Sequence, residues 1–251
     1  VKDLLGRAQN DILVQLAHAH VLLAFDFDGT LAPIVEDREG AEMRESTRRL
    51  FARLGALYPT AVISGRSQRD VSARIRGLGV KYVIGNHGLE PGDQIAPFEA
   101  QVKVAAPLLM ASLSTLAGVE VEDKRYSLAV HYRRARQKGA ARKAILAAVA
   151  ALPSSFRVVG GKLVMNLVPS GAAHKGDAVL DLRRRESADT AFYVGDDVTD
   201  EDVFALDQPG RLLTARVGMS KTSAAGYFLR GQRQIDTLLE RLVEYRARGT
   251  K

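Results

Sequence analysis

Val21-Leu22-Leu23-Ala24-Phe25-Asp26-Phe27-Asp28-Gly29-Thr30-Leu31 is an apolar run that ends abruptly in two carboxylates. Val and Phe within the run favour a buried strand. Asp26 and Asp28 stand two apart, so an extended chain points both to one side, where their charges repel. Such a pair at a strand end calls for a cation between the two, or for a task that uses them. Gly29 allows a sharp turn directly afterwards, and Thr30 adds a hydroxyl and an N–H. Asp-Gly is also a common hairpin turn, but Leu31-Ala32-Pro33 does not resume an alternating strand.

The same pattern recurs outward from this stretch. Residues 60–63 form a short apolar run ending in Ser64-Gly65-Arg66, and residues 80–84 end in Gly85-Asn86-His87-Gly88-Leu89-Glu90. Residues 191–194 end in Gly195-Asp196-Asp197. Helical spacing separates these runs: Leu4, Leu5, Ala8, Ile12, Leu13, Leu16 and Ala17 predict a helix over 1–20 closed by His18 and His20. Leu50, Phe51, Leu54 and Leu57 follow a Ser46-Thr47 start, and Val71 and Ile75 mark the next helix. Residues 176–184 predict another helix, residues 212–217 a strand, and Ile235, Leu238, Leu239, Leu242 and Val243 a C-terminal amphipathic helix. Strand–helix alternation of this kind predicts an α/β fold built on a Rossmann-like, mostly parallel sheet. Ligands bind such sheets beyond the carboxyl ends of the strands, where each polar run stands.

Between residues 97 and 169 the pattern changes. A helix over 102–116 leads to two short runs, 119–124 and 126–133, that read as an antiparallel hairpin. A second helix over 138–152 leads to residues 156–159, a Gly160-Gly161 turn and residues 163–168. This helix–strand–strand order, twice, predicts an α+β domain over 97–169 inserted into an α/β core formed by 1–96 and 170–251.

Composition narrows the function classes. The 251 residues are 46% hydrophobic, enough for a substantial core. With no cysteine, disulfides, zinc–thiolate sites and thiol nucleophiles are excluded, and a reducing, cytoplasmic setting is expected. The longest apolar run, residues 144–152, is too short to span a bilayer, and no secretory signal opens the sequence. A net charge of +7 invites nucleic acid, with Arg133-Arg134-Ala135-Arg136 and Arg183-Arg184-Arg185 as its best support. Aromatics at only 6%, no Trp and no recognisable binding pattern argue against it. Such a field also attracts small phosphorylated metabolites.

The chemistry gathers in four runs. Gly195-Asp196-Asp197-Val198-Thr199-Asp200-Glu201-Asp202 is the second anionic strand end. Thr199 and Asp202 fit a helix cap, which leaves Asp196 and Asp197 unexplained. Hard carboxylate oxygens from two strand ends, with no soft ligand anywhere, favour Mg2+. The Ser64-Gly65-Arg66 turn can bind an anion, and Lys175 in His174-Lys175-Gly176 can place a point charge on a phosphate.

Asp-Phe-Asp-Gly-Thr-Leu, then Ser64, then Lys175, then Gly195-Asp196-Asp197 with Asp200, resembles the four-motif pattern of the haloacid dehalogenase superfamily of phosphohydrolases. The insertion lies where that superfamily places its larger cap domains. More narrowly, Ile63-Ser64-Gly65-Arg66, Gly85-Asn86-His87-Gly88-Leu89-Glu90, Val121-Glu122-Asp123-Lys124 and Ser127-Leu128-Ala129-Val130-His131-Tyr132-Arg133 resemble trehalose-6-phosphate phosphatases, as does Gly195-Asp196-Asp197-Val198-Thr199-Asp200-Glu201. The resemblance runs from about Leu22 to Leu229. It implies a Mg2+-dependent phosphatase converting trehalose 6-phosphate to trehalose and phosphate, with a small sugar phosphate as substrate, no nucleic acid and no membrane. A trehalose-phosphate synthase is the implied partner.

By the same resemblance Asp26 is the nucleophile and Asp28 the acid and base, with Ser64 and Lys175 stabilising the transferred phosphoryl group. Asp26, Asp28, Asp196 and Asp200 make the metal set. Arg66, His87, Glu90, Glu122, Lys124, His131, Arg133 and Asn166 match positions for sugar or phosphate contact. One departure stands out: the family's Gly-Lys-x-x-x-Glu on the last cap strand is Gly161-Lys162-Leu163-Val164-Met165-Asn166 here. Asn keeps a hydrogen-bonding head but loses the charge and one methylene of reach. Two other functions stay open: a phosphatase for another sugar or glycosyl-glycerate phosphate, and a non-catalytic sugar-phosphate-binding regulatory domain.

Overall fold

The computed structural model describes residues 2–35, 38–92, 95–161 and 163–249. Its contacts divide the chain into two compact units, Val1–Gly88 with His174–Lys251, and Leu89–Ala173. The junctions thus fall at 88/89 and 173/174, against 96/97 and 169/170 from sequence. Leu89, Ile95 and Ala172 account for the difference, because they pack with Tyr126, Val159 and Val168 of the second unit.

The first unit is a parallel sheet covered on both faces. Its strands are β1 (Lys2–Asp3), β2 (Val21–Phe25), β3 (Thr60–Ile63), β4 (Tyr82–Ile84), and, beyond the second unit, β9 (Thr190–Gly195), β10 (Leu212–Val217) and β11 (Tyr227–Leu229). The order is β1-β11-β10-β9-β2-β3-β4, every pair parallel. The chemistry-bearing strands β2 and β9 are central neighbours, with Phe25 opposite Val194. Helices α1 (Asn10–His18), α2 (Glu45–Gly55), α3 (Gln68–Arg74) and α8 (Gln234–Gly249) supply one core, against Leu23, Phe25, Phe192 and Val194. Helices α6 (Lys175–Arg185) and α7 (Glu201–Phe204) supply the other, against Leu22, Ala24, Ala191 and Tyr193. Alternate residues of each strand therefore enter opposite cores, as a sheet buried on both faces requires. The apolar stripe of α8 is wholly buried, worth about 1.5–3 kcal/mol per side chain as an upper estimate. The Arg183–Arg185 run forms the last turn of α6, where basic side chains suit the helix dipole, and Arg184 and Arg185 pair with Asp181.

Two expectations fail here. Residues 1–20 are not one helix: Lys2–Asp3 pairs with Tyr227–Phe228 as an edge strand, Arg7–Gln9 is a 3-10 turn, and α1 starts only at Asn10. Leu4 is fully buried in the sheet core rather than on a helix face. The helix cap after β9 is also two residues off, being the pair Asp197/Asp200 rather than Thr199/Asp202.

The second unit is an antiparallel sheet, β5-β6-β8-β7, of β5 (Glu120–Asp123), β6 (Leu128–His131), β7 (Phe156–Gly161) and β8 (Val164–Pro169). Helices α4 (Ala96–Leu113) and α5 (Lys138–Ala150) pack with Leu128, Val130, Met165 and Leu167 on one face. The turn expected at Gly160-Gly161 is strand: those residues pair with Met165 and Val164, and Leu163 stands at φ 63°. Pairing Val158 with Leu163 instead of Leu167 would keep every side chain on its face, so alternation cannot choose between the two registers. The longer ladder prevails. Lys162 lies outside the described residues.

Candidate active site

β2 ends at Phe25, and the next residues do not stay extended, so Asp26 and Asp28 part company. Asp26 N donates to Val194 O (2.8 Å), which carries the ladder one residue past the strand and fixes Asp26 beside β9. The chain then closes on itself, with Ala32 N donating to Phe27 O and Gly29 N to Ala32 O, both at 2.8 Å. Gly29 adopts φ +83°, and a Cβ there would lie 2.1 Å from Asp196 Oδ2. Only glycine permits both the backbone and the close approach. From the other side Gln232 Nε2 donates to Thr30 O (2.9 Å) and Leu31 O (3.3 Å), pinning the loop.

The sequence expectation of two carboxylates directed alike is changed, because each pairs with its own basic side chain, although the charge of Asp28 still helps raise the Asp26 pKa. Asp26 is buried, and its Oδ1 accepts from Lys175 Nζ at 2.8 Å. Asp28 is 39% exposed and is gripped by both ends of the Arg66 guanidinium, Nε to Oδ2 and Nη2 to Oδ1, each 2.7 Å. Arg66 was expected to contact substrate. It is instead 1% exposed, bonded through Nη1 to Asp70 (2.7 Å), and its guanidinium lies 5.8 Å from the Phe27 ring centre. Burial opposes the Arg66 charge, but Asp28 and Asp70 outweigh it and hold the group further toward its charged form.

Lys175 opens α6, whose N-cap His174 forms a capping box with Asp177. Its side chain is 2% exposed and reaches Asp200 Oδ1 (2.7 Å) as well as Asp26. Asp200 is fully buried; its Oδ1 also accepts from Tyr193 Oη (2.7 Å), and its Oδ2 from the amides of Asp196 (2.8 Å) and Asp197 (2.9 Å). Ser64 at the end of β3 is buried, and its Oγ accepts from Arg66 N (3.1 Å), leaving its own proton to donate. His87 N donates to Ser64 O (3.0 Å), and its ring fills the space beside Gly65, where a Cβ would meet Cε1 at 2.5 Å.

Carboxylate oxygens of Asp26, Asp196 and Asp200 all lie within 4.8 Å of one another. One buried ammonium does not balance them. Burial, opposed by Lys175 and reinforced by Asp200, pushes Asp26 up to about 8. Burial with the charges of Asp26 and Asp200 pushes Asp196 up to about 9. Burial opposes the Lys175 charge, yet Asp200 and Asp26 together push its pKa above the ordinary lysine value. A compact set of hard oxygens carrying excess negative charge fits a small divalent cation such as Mg2+.

The remaining expected site residues lie in the second unit. Glu122, Ala129, Asn166 and Val159 stand abreast across the four strands. Glu122, Lys124, His131 and Asn166 therefore share the face turned away from α4 and α5. His131 Nε2 is 2.9 Å from Glu122 Oε2, and Lys124 Nζ donates to Asn166 Oδ1 at 3.4 Å. Glu90 and Arg133 are off these rows, the first between β4 and α4, the second in the turn after β6. Tyr193, Asp70 and Gln232 were not anticipated. Only Asp70 left a signal, standing four residues after Arg66.

A family profile described as trehalose-phosphatase matches residues 24–232. The chain belongs to the trehalose-phosphatase family. It is 37% identical over 203 residues to a trehalose-phosphate phosphatase of Mycolicibacterium paratuberculosis, an alignment covering 75% of this chain and 52% of that one. To that of Mycobacterium tuberculosis strain H37Rv it is 36% identical over 199 residues, covering 74% and 51%. The chain spans about half the length of the curated relatives it matches. Among solved structures, the trehalose-6-phosphate phosphatase C-terminal domain of C. albicans superposes with TM-score 0.79 at 23% identity, covering 94% of this chain and 97% of that one. The C-terminal domain of the Candida albicans trehalose synthase regulatory protein gives TM-score 0.64 at 12% identity, covering 93% and 97%. These likenesses establish the haloacid dehalogenase fold. No helix among the described residues is long and apolar enough to cross a membrane.

Proposed function

We propose that this chain is a Mg2+-dependent phosphatase that hydrolyses trehalose 6-phosphate to trehalose and inorganic phosphate. The observation that carries the proposal is Lys175 bridging Asp26 and Asp200 beside Asp196, in a chain of the trehalose-phosphatase family. Asp26 attacks phosphorus and the bond to the sugar oxygen breaks, leaving an aspartyl phosphate. Asp28, on parting from Arg66 and taking up a proton, gives that proton to the departing oxygen, then takes one from the water that attacks the aspartyl phosphate, which frees phosphate and restores Asp26. Lys175 and the Ser64 hydroxyl stabilise charge on the non-bridging oxygens, where most of the rate gain in phosphoryl transfer arises. Asp26, Asp196 and the Asp28 main-chain carbonyl are the groups that would hold Mg2+, whose charge lowers the repulsion between carboxylate and phosphate.

Arg66 orients Asp28 rather than meeting substrate. We assign sugar selection to the second unit, as a cap domain, through Glu122, Lys124, His131 and Asn166, with Glu90, Arg133 and His87 as further contacts. The reaction is cytoplasmic, consistent with the lack of cysteine, and a trehalose-phosphate synthase is the partner that would supply the substrate. The fold likeness to a regulatory protein's domain favours a silent binding module as the second reading. The buried Asp26–Lys175 pair and the Arg66-held Asp28 speak for catalysis, since a binder needs neither. Phosphate release should be measured across trehalose 6-phosphate, glucose 6-phosphate, a glucosyl-glycerate phosphate and an aryl phosphate, with Mg2+ and with EDTA. Preference for trehalose 6-phosphate, abolished by EDTA, supports the proposal. Preference for another sugar phosphate moves the substrate, and release from none leaves the binding module.

A further inference from the structure

Asp200 looks like a metal ligand by position, but its hydrogen bonds say otherwise. A carboxylate offers about four lone-pair sites. Those of Asp200 meet four donors of this chain: Lys175 Nζ and Tyr193 Oη on Oδ1, and the amides of Asp196 and Asp197 on Oδ2, at 2.7–2.9 Å. The group is fully buried, and the strand end is shaped to admit it, since a Cβ at Gly195 would lie 2.3 Å from Asp200 Cγ. Tyr193 is the donor that needs explaining. It lies on the β9 face that packs against α6 and α7, beside Phe204 at 6.1 Å between ring centres, where a phenylalanine would serve packing alone. Its hydroxyl instead completes the acceptor set of Asp200.

We infer that Tyr193 is a positioning residue. By filling the last acceptor site of Asp200, its hydroxyl commits that carboxylate to aiming Lys175 and setting the Asp196–Asp197 main chain, and withholds it from the metal. Asp26 and Asp196 are then the only side-chain ligands within the triad. Hydrogen-bond partners that orient a metal site typically alter affinity or activity by about 10–100-fold when removed, although they never touch the ion.

The inference rests on the proposed Mg2+ site, and the test separates the two. Mg2+ alone is titrated calorimetrically into the whole chain as wild type, Tyr193→Phe and Asp200→Asn. We expect Tyr193→Phe to fold as wild type but bind Mg2+ roughly tenfold more weakly. Asp200→Asn should lose affinity by a similar factor, and Tyr193→Phe turnover should fall in kcat with KM unchanged. Wild-type Mg2+ affinity in Tyr193→Phe, with or without a drop in melting temperature, overturns the inference and leaves the metal site standing. So does a loss in Asp200→Asn far beyond that of Tyr193→Phe, which would make Asp200 a direct ligand. A wild-type chain that binds no Mg2+ overturns the site itself and the inference with it.

Discussion

Lys175→Met removes the ammonium from the centre of the site while keeping most of its aliphatic length. The wild-type side chain is 2% exposed and makes two charge-assisted hydrogen bonds, 2.8 Å to Asp26 and 2.7 Å to Asp200. Each such bond contributes about 1.5–3 kcal/mol, or about 3–6 kcal/mol for the two. Truncating one partner of a buried ion pair costs about 3–5 kcal/mol in measured cases, because the abandoned charge stays buried. The lower part of the first range and the second agree, so we expect a loss of about 3–5 kcal/mol at neutral pH in EDTA. That is a large share of the roughly 5–15 kcal/mol that holds a domain together. Urea unfolding followed by circular dichroism measures it. Saturating Mg2+ should return more stability to the variant than it adds to wild type, since the variant leaves the acidic cluster without its ammonium. A loss below about 1 kcal/mol, with no response to Mg2+, would refute the buried charge arrangement.

Three further outcomes follow from the same geometry. Gly29→Ala places a Cβ 2.1 Å from Asp196 Oδ2 at a φ of +83°; calorimetry should show Mg2+ affinity down by at least roughly tenfold, and unchanged affinity would show that the loop yields. Arg66→Met breaks three bonds of 2.7 Å, but Asp28 and Asp70 are 39% and 32% exposed and can rehydrate. Its stability loss should therefore stay near 1–3 kcal/mol, about what charge-assisted bonds at a part-exposed site contribute, while kcat drops much more than KM changes. Burial pushes the Asp70 carboxyl up, but Arg66 and Arg74 outweigh it and hold its pKa below the ordinary value. A depressed folded pKa gives stability that is complete above the unfolded value and lost as pH falls through the folded one. Wild type should exceed Asp70→Asn by a constant margin from pH 7 to 5, shrinking below about pH 4; a margin that persists into stronger acid would contradict the assignment.

Much of the site was legible because apolar strands that end in polar residues announce a functional sheet edge. Asp26, Ser64 and Asp196 follow from that rule, and the parallel sheet sets their strand ends side by side; Lys175 opens α6 instead and came from the resemblance. What was hidden depends on direction rather than position. The destination of Arg66 is one case, since an arginine in a strand-end turn can face substrate or turn inward, and Asp70 one helical turn on decides it. Tyr193 is another: a strand residue alternating between two cores shows no sign of where its hydroxyl ends. Lys2–Asp3 and Tyr227–Leu229 are too short to carry any period, so the outer strands of the sheet escaped notice. The pairing of Gly160 and Gly161 with β8 escaped because two registers keep the same faces.

The central claim is that Asp26 carries the phosphoryl group. Rapid acid quench of the chain turning over trehalose 6-phosphate with Mg2+, followed by peptide mass spectrometry, tests it directly. We predict a phosphoryl adduct on Asp26 that decays as phosphate appears, and no adduct or turnover in Asp26→Asn. An adduct on another residue, or turnover that survives Asp26→Asn, would contradict it.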